Sequence, residues 1–194
     1  MNKDESVLAR IVSEVFEPMV VFLAISLIGA WHVHLRGISY GLYTLYIVGV
    51  GVLIAVARVR LMRVMHTNWD ISNRVKRVRL LLMLLAFSIL LMWSTYLWHT
   101  PALSRLFELF VLWMVGFFLI TLKIKISGHM AVAVLAIGLL VSWYDMSLWV
   151  LAILVPILGW SRLKLKRHNI LEVILGTAYS FGVLLVNHAF IAFR

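Results

Sequence analysis

Long apolar runs alternate with short polar islands along this chain. Seven runs stand out, roughly 15–33, 40–57, 80–98, 106–122, 130–144, 147–160 and 169–193. A helix needs about 20 apolar residues to cross a hydrocarbon core of about 30 Å. The first four runs and the last are long enough, or nearly so, and predict transmembrane helices. The fifth and sixth are shorter and meet at a tight turn at Asp145. Either their polar ends sink below the membrane surface, or their helices continue into Ser127-Gly128-His129 and Ser161-Arg162. Both arrangements put those residues at or just inside the interface. Ahead of the first run, Val7, Leu8, Ile11, Val12 and Val15 fall at helical spacing. Residues 1–14 therefore read as a short helix lying in the interface, or equally as a solvated turn entering the first span. Gly37 and Pro101 break the chain between runs, and Gly41, Gly49 and Gly51 permit close helix contacts.

Composition sharpens the class. Of 194 residues, 63% are hydrophobic and 13% charged, with a mean hydropathy of +1.01. A soluble domain of this size cannot bury so much apolar surface, so the pattern predicts one all-α, polytopic membrane domain of about seven spans. The absence of cysteine rules out disulfides and thiolate metal sites. The net charge of +10 is clustered, which points to topology signals and anionic ligands rather than nucleic acid. The mixed-charge start, followed by so long an apolar run, predicts no cleavable signal peptide.

Three islands hold the candidate chemistry. They are Asp70-Ile-Ser-Asn-Arg74-Val-Lys76-Arg77-Val-Arg79, Lys123-Ile-Lys125-Ile-Ser127-Gly128-His129, and Ser161-Arg162 through His168 to Glu172. Two runs separate each island from the next, so all three are expected at one membrane face. His168 and Glu172, four apart, stack on one helix face. A histidine nucleophile for phosphoryl transfer needs an acceptor on its second nitrogen, cations around the phosphate oxygens, and an acid for the leaving oxygen. Glu172 can accept from the ring. Arg162, Arg74, Arg77 and Lys125 can clamp phosphate. Ser127 with the Gly128 and His129 amides, at a helix start, forms an anion-binding end, and His129 is then available as the acid. The bland alternative, positive-inside anchoring, accounts for Arg58, Arg60, Arg63, Lys164, Lys166 and Arg167. It accounts for neither Ser127-Gly128-His129 nor the His168–Glu172 spacing. His32, His34, His66, His99 and His188 read as structural, and Glu108 as a local partner of Arg105.

Ser161-Arg162, five residues, His168, then three residues to an acid resembles the third signature motif of the type 2 phosphatidic acid phosphatase superfamily. Ser127-Gly128-His129 resembles its second motif, and the order and separation also match. The resemblance covers roughly Asp70 to the C-terminus. Three departures accompany it: Glu172 stands where the family has Asp, Ile126 where it has Pro, and the first motif is divergent. If Arg77 is that motif's arginine, Asp70 replaces its lysine.

The resemblance implies a type 2 phosphatidic acid phosphatase-like core over residues 66–194. It implies hydrolysis of a lipid phosphate or polyprenyl diphosphate through a phosphohistidine on His168, with His129 as acid and neither metal nor cofactor. The scarcity of carboxylates agrees. The membrane setting favours an amphiphilic substrate drawn from the surrounding lipids. Two other readings stand beside it: an inactive lipid-binding relative, and a transporter of anions using the same basic pocket. Isoprenoid transferases, which need Asp-rich metal sites, fit poorly. The positive-inside rule, counted on Arg58, Arg60, Arg63, Lys164, Lys166 and Arg167, places the polar islands and N-terminus in the cytoplasm of a prokaryotic plasma-membrane protein.

Overall fold

The computed structural model describes residues 3–33, 37–65, 74–96 and 101–192. Among the described residues the chain is all-helical, with no strand. The helices are α1 (Lys3–Val15), α2 (Pro18–His32), α3 (Gly37–Val64), α4 (Arg74–Thr95), α5 (Pro101–Thr121), α6 (Gly128–Trp143), a 3-10 helix (Met146–Ile153), α7 (Leu154–Lys164) and α8 (Ile170–Ala192). Six helical stretches are long and apolar enough to cross a membrane: Ser6–His32, Ser39–Val64, Lys76–Thr95, Leu103–Thr121, Met146–Lys164 and Ile170–His188. The chain is therefore a multi-pass membrane protein by length and composition. The shorter α6 is apolar too.

Helix boundaries differ from the run boundaries in instructive ways. Cations that end a run do not end a helix: α3 continues through Arg58, Arg60 and Arg63, and α4 begins at Arg74. Long basic side chains have good helix propensity and can reach past an apolar core while their backbone stays helical. The α7 helix likewise runs through Ser161 and Arg162, and α6 takes in Gly128 and His129. His34, Arg36, His66, Asp70 and His99 lie outside the described residues.

By its contacts the chain divides into two compact units, Met1–Ala24 with Lys125–Arg194, and Ile25–Ile124. In the second unit, α4 packs along α5 and touches α3. The Tyr46 hydroxyl donates to Ser94 Oγ at 2.5 Å, the Tyr96 hydroxyl donates to Glu108 Oε1 at 3.2 Å, and Trp113 stacks on Phe117.

The first unit is the one built around α6. Eleven of its residues are buried, Met130 to Leu139 and Val141, so it is the central helix of that unit. It packs along α8, against the 3-10 helix and against α7, while α1 lies on α7. Met130, Ala133, Leu158 and Val173 form the core, with Val12, Phe16 and Val155 packed against it. Two close approaches fix the α6–α8 spacing. A Cβ on Gly138 would meet the Leu184 side chain, and one on Gly176 would stand 2.5 Å from the Ser127 carbonyl oxygen.

Local chemistry explains the joints. Pro18 cannot donate, so α1 ends before it, and Glu17 Oε2 accepts the Met19 N–H at 2.7 Å to start α2. Asp145 Oδ1 accepts the Ser147 N–H at 2.8 Å and starts the 3-10 helix. That helix follows a threefold pattern: Leu148, Leu151 and Leu154 are half-buried, while Met146, Trp149, Val150 and Ile153 are exposed. Side chains three apart eclipse in this winding, so a leucine at every third position is what fills one row. The C-terminus of α7 closes by a Schellman turn. Arg167 N–H reaches the Arg162 carbonyl at 3.1 Å, Lys166 N–H reaches that of Leu163 at 3.0 Å, and Lys166 sits at φ 53°.

Candidate functional site

The turn after α7 leads directly into His168 and the capped start of α8. Asn169 Oδ1 accepts the Glu172 N–H at 2.8 Å, and Asn169 Nδ2 lies 3.4 Å from Glu172 Oε1. This is a capping arrangement, with the cap residue three before an acid. It fixes the first turn of α8 and with it the Glu172 side chain. Glu172 Oε2 then stands 2.6 Å from His168 Nδ1. Lys125 Nζ is 3.4 Å from the same oxygen and donates to the Arg167 carbonyl at 2.9 Å. Lys125 thus ties the segment leading into α6 onto the α7–α8 turn.

The start of α6 is locked to the same place by its backbone. Ser127 N–H donates to the Glu172 carbonyl at 3.0 Å. Gly176, one turn after Glu172, leaves the space that lets the Ser127 backbone come this close. Ser127 is the N-cap residue of α6, yet its side chain does not cap the helix. Its Oγ is fully buried, with no hydrogen-bond partner among the described residues. A buried, unsatisfied hydroxyl costs about 1–3 kcal/mol, and the adjacent helix start carries a partial positive charge. Both features suit an anion. His129 follows on the first turn, half-buried.

Arg162 is buried at 6% exposure, on the last turn of α7. Its Nη1 donates to Ser13 Oγ at 2.5 Å, and the neighbouring Ser161 Oγ donates to the Ala9 carbonyl at 2.6 Å. Electrostatics concentrate on His168. Burial above all, then the charges of Arg162 and Lys125, push its pKa down to about 4, against the opposing pull of Glu172. The imidazole is neutral at pH 7. Facing a carboxylate, which only accepts, Nδ1 carries the hydrogen, and the lone pair is on Nε2.

Lys125, Ser127, Arg162, His168 and Glu172 are thus brought together in one unit, with Gly128 and His129 on the adjoining helix start. Arg74 and Arg77 belong to the other unit, on α4. Arg77 is half-buried there, the Arg74 side chain is not among those described, and Asp70 lies outside the described residues. No group of three His, Cys, Asp or Glu able to hold a metal ion occurs among the described residues. Four contributors escaped the sequence reading. Ser13 and Ala9 form the small, buried face of α1. Gly176 lies four after Glu172 and so on its face. Asn169, three before Glu172, has the spacing of a capping pair, a signal that was available in the sequence.

Compared with family models, with curated proteins and with solved structures, the chain matches none of them.

Proposed function

We propose that this chain is a membrane phosphatase acting on a lipid phosphate or diphosphate. The observation that carries the reading is the His168–Glu172 pair at 2.6 Å. It holds a neutral imidazole in the tautomer a nucleophile needs, within the field of two cations. In this reading α6 is a seventh span beside the six longer stretches, the site faces the cytoplasm, and the core is of the type 2 phosphatidic acid phosphatase kind.

The reaction follows from the groups. Nε2 of His168 attacks phosphorus in line, and the bond to the leaving oxygen breaks as His129 supplies its proton. The ring then bears phosphate on Nε2, and the charge arising there is stabilised by Glu172 through Nδ1–H. Arg162 and Lys125, with Ser127 Oγ and the α6 amides, take the non-bridging oxygens. Water, giving a proton back to His129, attacks phosphorus and cleaves the N–P bond, releasing inorganic phosphate and restoring the neutral His168 ring.

The test is phosphate release by purified protein across phosphatidate, phosphatidylglycerophosphate and polyprenyl diphosphates. His168→Ala is expected to abolish release while the protein stays folded in detergent. Undiminished turnover by that variant overturns the mechanism, and uptake without hydrolysis favours a transporter.

A further inference from the structure

The N-terminal helix meets the site through its smallest side chains. Ala9 and Ser13, four apart, form one buried face of α1, at 0% and 7% exposure. Ser13 Oγ accepts from Arg162 Nη1, and the Ala9 carbonyl accepts from the Ser161 hydroxyl. Val12 and Phe16 seat the same helix on the core formed by Met130, Ala133, Leu158 and Val173. The contact joins residues 149 positions apart in sequence, 13 and 162.

A guanidinium on a long, flexible stem loses rotamer freedom when it binds an anion. Holding one of its donors in advance removes part of that cost and fixes the plane of the fork. A hydroxyl suits this better than a carboxylate, because it orients the arginine without neutralising it. We infer that Ser13 is a positioning residue for Arg162, so that α1 carries part of the phosphate-binding site. This rests on the phosphatase reading above. Ser13 does not touch the reacting atoms; it sets where the Arg162 charge stands relative to His168.

The test uses the full-length protein in detergent, with two readouts: steady-state hydrolysis of the best lipid phosphate, and binding of orthovanadate by calorimetry. Ser13→Ala is expected to raise KM and weaken orthovanadate binding by about tenfold, as loss of one hydrogen bond to a charged group predicts, with kcat little changed. Ser13→Thr, which keeps the hydroxyl, is expected to restore both. Should Ser13→Ala not fold, Ser13→Cys keeps the volume with a much weaker acceptor and is read in the same way. A wild-type KM and wild-type orthovanadate affinity in Ser13→Ala overturn the inference and leave the phosphatase reading standing. Equal losses in the Ala and Thr variants also overturn it, since they report packing. Wild-type protein that neither hydrolyses the panel nor binds orthovanadate overturns both.

Discussion

Glu172 serves four neighbours at once. Its N–H is capped by Asn169, its carbonyl accepts from Ser127, and its carboxylate faces His168 and Lys125. Only the last of these depends on the carboxylate being charged. Glu172→Gln keeps the backbone bonds and a side chain of equal length, but no longer favours the Nδ1–H tautomer or the charged ring. Activity is expected to fall by several orders of magnitude, as for other acids that orient a histidine, while the melting temperature moves little. Glu172→Asp, the residue expected from the family resemblance, is expected to retain substantial activity. Wild-type turnover by the Gln variant contradicts the orienting role.

The depressed His168 pKa makes two further predictions at this scale. The acid limb of kcat/KM is expected near pH 4 instead of near the ordinary value of 6.5. Stability has a definite sign as well. Between 6.5 and about 4 the unfolded chain binds a proton on this ring and the folded chain does not. Stability therefore falls as pH drops through that window and levels below it. Thermal unfolding in detergent at pH 7 and pH 5 compares the two; removing His168 is expected to shrink the difference.

At the scale of elements, Lys166 bears a cost that the turn after α7 imposes. A side chain at φ 53° is in the left-handed region, where a Cβ costs about 1–2 kcal/mol. Glycine relieves this and loses part of the gain to chain entropy, so Lys166→Gly is expected to stabilise by about 0.5–1 kcal/mol. Lys166→Ala should bring no such gain, and melting curves of the two variants distinguish them. Gly176→Ala is expected to act oppositely, because its methyl would press on backbone at 2.5 Å. The length of the apolar runs made most helices legible, and the His168-to-Glu172 spacing made one corner of the site legible. Other parts were hidden for physical reasons. Arg58 to Arg63 fell beyond the second apolar run because charge ends a hydrophobic run, whereas backbone hydrogen bonding ends a helix. Ser13 was hidden because its partner lies 149 positions away, a separation no local pattern encodes.

For the molecule as a whole, the apolar surface is what dictates the setting. Helices such as α3 and α4 expose Leu45, Val52, Leu53, Leu82 and Leu90 at 48% or more, which is tolerable only against lipid. Orientation follows from the cations that the site does not use. On the proposed seven-span phosphatase reading, Arg58, Arg60, Arg63, Lys164, Lys166 and Arg167 predict a cytoplasmic face for the site and a C-terminus outside. Alkaline phosphatase fused after Arg194 is expected to be active, and a reporter that fluoresces only in the cytoplasm is expected to stay dark there. The reverse result inverts every span together.

The 3-10 winding of Met146–Ile153 acts as a ruler. Eight residues at about 2.0 Å each and the eleven of α7 at about 1.5 Å reach about 32 Å, whereas nineteen α-helical residues reach about 28 Å. The difference, about 4 Å, decides whether the stretch matches a hydrocarbon thickness of about 30 Å or falls short of it. Counted from Asp145, an all-α version would place Arg162 about 4 Å closer to that end of the stretch. How tightly one end of this stretch is wound thus sets where Arg162 stands at the other.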